Sequence, residues 1–163
     1  MGLTRILNLG CGQRPIKAGE GQEVVNHDLR RHRPEVNVAH DLNLLPWPWP
    51  DDSFEVVLAS SVFEHLEIDL VRAMDECWRI LRPGGCLRVK LPHWQHDNAW
   101  ADPTHRWRYT SRSLDVFVPE TKLGQELAFY TARKWAYLQA PKLNDQKSSV
   151  AAILQARKEV THG

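Results

Sequence analysis

Two glycines and an aspartate near the start of the chain have the residue types and spacing that a nucleotide-like ligand requires. Gly10 directly follows the β-rich run 5–9, Gly12 stands two residues further on, and Asp28 ends the next apolar run. Glycines let the backbone approach a ligand closely, and an acid at the end of a neighbouring strand can accept hydrogen bonds from ribose hydroxyls. A nucleotide-binding turn is one hypothesis for this segment. The structural alternative is a strand-end turn in which Asp28 only caps the backbone.

A histidine-rich segment provides a second group of candidate residues. Its members are His93, His96, Asp97, Asp102 and His105. Imidazole titrates near neutral pH, so one histidine could act as general base for a hydroxyl or an amine, with His93 preferred and His105 next. A metal held by His93, His96 and an acid is an alternative, but this spacing matches no recognised metal signature, and no metal site is predicted. In the third interpretation Asp102 caps a turn and His105 packs against it.

The composition is that of a globular protein without a strong charge bias. Of the 163 residues, 42% are hydrophobic and 25% are charged, and the formal net charge of +1 gives no global attraction to nucleic acid or to an anionic membrane. Basic runs at 30–33 and 105–109 leave nucleic acid as an unlikely partner that is not excluded. The odd count of three cysteines, with neither a membrane-length apolar run nor a signal-peptide pattern, predicts a cytoplasmic protein.

The order of apolar runs and turn signals indicates an α/β protein. Strands are predicted over 5–9, 23–28, 36–41, 54–60 and 86–91, with an antiparallel pair at about 135–139 and 150–155. A helix is predicted over 67–81 from apolar residues at steps of three and four, and a weak helix over 112–117. The helix 67–81 should stop at Pro83 and Gly84, which would turn the chain into the fifth strand.

This alternation predicts a doubly wound, Rossmann-like, mostly parallel sheet with a C-terminal antiparallel strand pair, because parallel neighbours need crossover connections. The connections 10–22 and 29–36 are too short for ordinary crossover helices, so these helices should be trimmed. In such a sheet the loops that follow the strands should converge on one cleft. A sheet face left exposed in this way would make a homodimer possible.

Four motifs in this order resemble the class I S-adenosylmethionine-dependent methyltransferases, in particular the small type 11-like methyltransferase domains. The motifs are LNLGCG at 7–12, DDSFEVV at 51–57 followed by EHL at 64–66, LRPGG at 81–85, and LPHW at 91–94 with ADPTHR at 101–106. The resemblance covers residues 5–117 of what is predicted to be a single methyltransferase-like domain over 1–163. Residues 118–163 would contribute the C-terminal strands.

The resemblance implies S-adenosyl-L-methionine as the cofactor. The implied cofactor-binding residues are Gly10, Cys11, Gly12, Asp28, Asp41, Leu42, Ser60 and Ser61. By this resemblance the glycine turn would approach the methionine part, and Asp28 would bind the ribose. Asp41 and Leu42 would lie beside the adenine, and Ser60 and Ser61 would border the sulfonium.

The sequence leaves several functions open. The first is a methyltransferase acting on a small molecule or on a sugar hydroxyl or amine, in which the protein desolvates the nucleophile and holds it in line with the methyl group. The second is a non-catalytic cofactor-binding module or partner subunit, and a lesser one is a nucleic-acid methyltransferase. A dinucleotide-dependent oxidoreductase fits poorly, because Pro15 stands where its fingerprint needs a third glycine. Glu64 and His65 are interpreted as structural residues.

Overall fold

A seven-stranded sheet forms the centre of the computed structural model, which describes residues 2–159. The strands are β1 (Thr4–Leu9), β2 (Gln22–Asp28), β3 (Val38–Ala39), β4 (Phe54–Ser60), β5 (Leu81–Pro92), β6 (Lys134–Leu143) and β7 (Ser149–Arg157). Their order across the sheet is β3-β2-β1-β4-β5-β7-β6. Strands β1 to β5 pair in parallel, whereas β7 runs antiparallel to both β5 and β6. The chain therefore has the α/β sheet and the C-terminal antiparallel pair that the sequence predicted.

The helices are few and mostly short. They are α1 (Leu70–Ile80), α2 (Asn98–Ala101) and α3 (Lys122–Glu126), with 3-10 turns at Phe63–His65, Asp115–Phe117 and Ala128–Tyr130. Helix α1 begins where the side chain of Asp69 accepts a hydrogen bond from the Arg72 amide at 2.9 Å, which satisfies one free amide of the first turn. Within residues 2–159, no helix combines the length and the apolar character needed to cross a bilayer.

The fifth strand differs most from its prediction. The segment 81–85, predicted as a helix stop and turn, belongs to β5, in which Leu81 pairs with Phe54 and, after a register shift, Cys86 pairs with Val56. Pairing with β4 therefore extends the strand back to the end of α1. The predicted weak helix over 112–117 is only the 3-10 turn Asp115–Phe117, and β3 keeps only two residues of the predicted 36–41.

The hydrophobic core lies against one face of the sheet. Alternate residues of β1, β4, β5 and β7 pack there against the buried face of α1; they are Leu7, Leu9, Val57, Ala59, Leu87, Val89, Leu91, Ala152 and Leu154. The residues between them, including Asn8, Leu58, Arg88 and Ile153, line an open cavity of about 870 Å³. Within residues 2–159, no residue of a helix lines this cavity. The β1–β2 and β2–β3 connections contain no helix, which confirms the trimmed crossovers.

Arg79 of α1 fixes the proline-rich loop that precedes β4. Its guanidinium donates to the carbonyls of Trp47 and Trp49 at 3.0 and 2.8 Å, and it forms ion pairs with Glu76 and Asp51. Both tryptophan side chains are buried in the core. The Trp47 indole Nε1 in turn donates to the Leu42 carbonyl at 2.9 Å, so this loop holds the segment after β3 in place.

The one-sided core predicts different costs for two leucine truncations on opposite faces. Leu7→Ala should lower the free energy of unfolding by roughly 2–5 kcal/mol, because it leaves a cavity in a fully buried site. Leu58→Ala removes a half-buried side chain from the open face and should cost less than about 1.5 kcal/mol. Urea unfolding of both variants measures the difference, and equal losses would contradict a core on one face only.

Candidate functional site

The turn after β1 requires glycine at position 10. Gly10 has φ of +55°, in the left-handed region that residues with a Cβ rarely adopt. A Cβ placed on Gly10 would lie 2.7 Å from Cγ2 of Val62, which follows β4. The turn and the segment after β4 are therefore packed closely enough that position 10 has no room for a side chain.

Three hydrogen bonds tie the amides of this turn to the end of β2. The Gly10 amide donates to Nδ1 of His27 at 3.3 Å, and the Cys11 amide donates to the His27 carbonyl at 2.8 Å. The Gly12 amide donates to Oδ2 of Asp28 at 2.7 Å. The two strand ends are thus joined by side chains as well as by the sheet.

His27 is a buried residue of the site that no sequence signal marks, since a histidine within a strand has no distinguishing pattern. It is 1% exposed, and its Nε2 lies 2.9 Å from the carbonyl of His40. A neutral ring with hydrogen on Nε2 satisfies both contacts, because Nδ1 then accepts from Gly10 while Nε2 donates to His40. Burial lowers the pKa of His27 below its ordinary value, which favours this neutral form.

Asp28 stands between the glycine turn and a cavity at the carboxyl ends of β1, β2 and β4. Its Oδ1 accepts from the Leu29 amide at 2.8 Å, so each carboxylate oxygen has one backbone donor and keeps a further lone pair. The cavity has a volume of about 400 Å³. It is lined by Gly10, His27, Asp28, Leu29, His40, Asp41, Leu42, Asn43, Ser61, Val62, His65, Leu66 and Thr104.

The structure brings five of the eight implied cofactor-binding residues to this cavity: Gly10, Asp28, Asp41, Leu42 and Ser61. Ser61 has φ of +56°, which is uncommon for a residue with a Cβ, and its amide donates to the Lys90 carbonyl at 2.9 Å.

The other three implied residues, Cys11, Gly12 and Ser60, do not line this cavity. Cys11 and Ser60 line the larger cavity on the open sheet face, which Gly10 and Ser61 also border. The Gly12 amide is directed to Asp28.

The two candidate catalytic histidines lie in different places. His93 follows β5 and is 4% exposed; it lines a separate cavity with Trp94 and Thr110. The expectation of one cleft therefore holds for the loops after β1, β2, β3 and β4 and for Thr104 of the loop after β5, but not for His93 at the start of that loop. His105 instead lies beside His65, with 4.7 Å between the ring centroids in an edge-to-face arrangement.

Asp102 caps a turn, as the structural interpretation of the histidine-rich segment proposed. Its Oδ1 accepts from the Thr104 amide at 2.8 Å and from the Thr104 hydroxyl at 2.7 Å. The same hydroxyl lies 2.9 Å from Nδ1 of His65. Among residues 2–159, His93 and His96 do not form a metal-compatible group with an acid.

Glu64 is buried beside these histidines. It is 1% exposed, and its Oε2 has no hydrogen-bond partner among the described residues. Burial raises the pKa of this carboxyl to about 7. One donor atom each from Glu64, His65 and His105 lies within 4.8 Å of the others. The structural interpretation takes Glu64 as an acid near a helix start and His65 as a packed helix residue. It contains no signal for His105, which approaches them only in the tertiary structure.

Known proteins share the region that forms this site. The sequence profile of a family described as a methyltransferase domain matches residues 7–89, about half of the chain. The chain belongs to the methyltransferase domain family. The matched region runs from β1 into β5 and includes all of the implied cofactor-binding residues. S-adenosyl-L-methionine is the cofactor of this family.

Two mycobacterial relatives of the methyltransferase domain carry the same cofactor in their names. A "Probable S-adenosylmethionine-dependent methyltransferase" from Mycolicibacterium smegmatis is 35% identical over 100 residues, which are 54% of this chain and 38% of that protein. A similarly named protein from Mycobacterium tuberculosis is 34% identical over 99 residues, covering 54% of this chain and 35% of the relative. The match therefore spans little more than a third of the length of these relatives.

Solved structures share the fold of the methyltransferase domain at low sequence identity. A SAM-dependent methyltransferase from Archaeoglobus fulgidus superposes with a TM-score of 0.62 at 16% identity, over 94% of this chain and 86% of that one. An S-adenosylmethionine-dependent methyltransferase from Mesorhizobium loti gives a TM-score of 0.60 at 15% identity, over 94% and 91% of the two chains. These likenesses establish a Rossmann-like α/β fold.

The close packing at Gly10 predicts a difference between two glycine substitutions. Gly21 also has a positive φ, of +70°, but a Cβ there would meet no atom within 4 Å. Gly21→Ala should therefore cost only the backbone strain, roughly 1–2 kcal/mol of unfolding free energy. Gly10→Ala should cost a further 1–3 kcal/mol or so, because Val62 must move. Equal losses on chemical denaturation would contradict the close contact between position 10 and Val62.

The lowered pKa of His27 predicts that acid weakens the fold. At a pH below 6.5, the ordinary pKa of histidine, His27 is protonated in the unfolded chain but stays neutral in the folded protein until the pH reaches its lowered pKa. The contribution of neutral His27 to the free energy of unfolding is therefore fully present above pH 6.5. It is lost as the pH falls from 6.5 towards the pKa of His27 in the folded protein. His27→Gln removes this titration, so its unfolding free energy should fall less than that of the parent between pH 7.5 and 5.5, about one unit on either side of 6.5. Identical pH slopes for the two proteins would show that His27 does not carry the effect.

Proposed function

We propose that this methyltransferase domain binds S-adenosyl-L-methionine in the cavity at the ends of β1, β2 and β4 and transfers a methyl group to a hydroxyl or amine of a small molecule or sugar. The observation that carries the proposal is the convergence of Gly10, Asp28 and Leu42 on one cavity of about 400 Å³ within the region that matches the family. That volume lies in the range of small-molecule sites.

The residues of the cavity fit the cofactor. The Asp28 carboxylate keeps lone pairs that can accept hydrogen bonds from two vicinal hydroxyls, and the glycine turn lets a ligand approach the backbone. The apolar side chains of Leu42, Val62 and Leu66 offer a wall for a flat base. When bound, S-adenosylmethionine supplies a methyl group on a sulfonium, which is already activated for displacement.

The chain's own contribution to transfer is to bind and orient the acceptor and to exclude water from it. If the acceptor is a hydroxyl, its proton must also be removed. His65 lines the cavity, and burial together with the neighbouring His105 lowers its pKa, so its ring is neutral at pH 7 and retains a free lone pair. A small acceptor is favoured over nucleic acid because the net charge of +1 gives no field that would attract a polyanion.

Replacing Asp28 tests cofactor binding. Asp28→Asn should weaken S-adenosylmethionine and S-adenosylhomocysteine roughly 10- to 100-fold in calorimetric titration, because a charged acceptor for the ribose hydroxyls is lost. Asp145→Asn changes an exposed acid in the loop between β6 and β7 and should leave both affinities unchanged. Circular dichroism verifies folding, because Asp28 also accepts from two amides. Unchanged binding by a folded Asp28→Asn protein would refute the placement of the cofactor.

A second candidate is a non-catalytic cofactor-binding module or partner subunit. The observation that favours it is the open face of the sheet, where Arg88 and Lys90 border the cavity of about 870 Å³. Both candidates bind the cofactor, so the binding experiment does not separate them. Transfer of a radiolabelled methyl group by the isolated chain to any acceptor in a panel of small hydroxyl and amine compounds would exclude the module.

A further inference from the structure

We propose that Glu64, His65 and His105 form a binding site for one divalent transition-metal ion of the zinc type, at the edge of the cofactor cavity. Two imidazoles and one carboxylate are a ligand set that zinc accepts, and they leave a further coordination position open. The metal site is inferred from the geometry of the three side chains, whereas its role in catalysis rests on the proposed function.

The strongest evidence for a bound cation is the Glu64 carboxyl group. Its Oε2 is fully buried and has no hydrogen-bond donor among residues 2–159. Burying a carboxylate is costly unless it is paired or coordinates a metal. Among the described residues, no arginine or lysine forms an ion pair with Glu64. The groups that act on its carboxyl are His105, Asp102, Tyr109 and the hydroxyl of Ser61, none of which carries a permanent positive charge. A divalent ion would supply the missing positive charge.

The hydrogen bonds of both histidines leave a ring nitrogen free to coordinate. The Thr104 hydroxyl donates its only hydrogen to Asp102, so it accepts from Nδ1 of His65. His105 Nδ1 lies 3.3 Å from the carbonyl of Ala99, to which it donates. In each neutral ring Nε2 therefore carries the lone pair, and an oxygen acceptor on the other nitrogen is the usual partner of a metal-ligating histidine. The His105 Nε2 lies 3.9 Å from Asp102 Oδ2, too far for a hydrogen bond.

The backbone keeps the three ligands together. The Arg106 amide donates to the Glu64 carbonyl at 2.7 Å, so the residue after His105 is fixed to the turn that carries Glu64 and His65. The donor atoms lie within 4.8 Å of one another. Tetrahedral zinc, with bonds of about 2.0–2.2 Å, holds its donors about 3.4 Å apart, so small side-chain rotations would close the site.

The position of this site suggests what the ion does. His65 and Thr104 line the cavity in which Gly10, Asp28 and Ser61 meet, so an ion held by this cluster would lie at the edge of the cofactor cavity, where an acceptor beside the cofactor could reach it. With the lone pair of His65 bound to the ion, that ring no longer accepts the acceptor's proton; a hydroxyl oxygen bound to the ion would instead lose its proton to water more readily. The inferred substrate class is therefore a hydroxyl compound rather than an amine.

Metal titration of the purified 163-residue chain, stripped with a chelator and free of S-adenosylmethionine, tests the site directly. We expect calorimetry to show one Zn²⁺ per chain, and Co²⁺ to give visible absorption without a thiolate charge-transfer band. Glu64→Gln, His65→Ala and His105→Ala should each weaken Zn²⁺ binding at least roughly 100-fold, and Thr104→Val, which removes the hydroxyl that links His65 to Asp102, roughly tenfold. His96→Ala, a change to a histidine of the same loop outside the cluster, should have no effect.

Three results would overturn the metal site. They are no Zn²⁺ binding by the folded protein at about 1 mM, unchanged affinity in a folded Glu64→Gln variant, and a thiolate-to-cobalt band that reports ligation by Cys11, Cys77 or Cys86. Glu64→Gln keeps the side-chain shape and Thr104 is exposed, so these two variants remain informative if a histidine variant fails to fold. S-adenosylmethionine titration of the same metal-free protein tests the proposed function independently of the metal.

Discussion

The left-handed turn at Gly10 is the constraint on which the candidate site depends. β1 lies between β2 and β4, so the direction in which the chain leaves it determines how closely the loops after all three strands approach. With no Cβ at position 10, Val62 can pack against the turn. The 3-10 turn that carries Glu64 and His65 begins at the next residue, Phe63. A larger residue at position 10 would displace this whole segment, and with it one wall of the cavity.

The missing crossover helix after β1 changes how the turn amides are satisfied. In many nucleotide-binding sheets a helix begins at this turn and its free amides face the ligand. In this chain no helix follows, and side chains from the end of β2 accept from the amides of Gly10 and Gly12. His27 therefore has a role in holding the turn that a helix would otherwise have. The same shortening leaves one sheet face uncovered, and β5 places Arg88 and Lys90 there, between the buried Leu87, Val89 and Leu91.

Local patterns in the sequence predicted the strands well where pairing is regular. β1, β2 and β4 begin and end within one residue of the predicted 5–9, 23–28 and 54–60, because short β-rich runs bounded by turn residues specify a strand without reference to its neighbours. β5 was predicted too short, because Pro83 and Gly84 are turn formers whose effect is overridden by pairing with β4. Helix α1 begins three residues later than predicted, because the Asp69 side chain caps it there.

The sequence by itself determined the fold class, the family and the cofactor that the family uses, because the glycine turn, the acid at the end of β2 and the order of strands are all local signals. Only the tertiary structure decided how the histidines are distributed. His93 faces a separate cavity, whereas His105 joins Glu64 and His65. The loop containing His105 is held against the turn after β4 by long-range bonds, such as that from the Trp107 indole to the Leu66 carbonyl at 2.8 Å. Contacts between loops far apart in sequence depend on how the whole chain packs, and residue spacing carries no record of them.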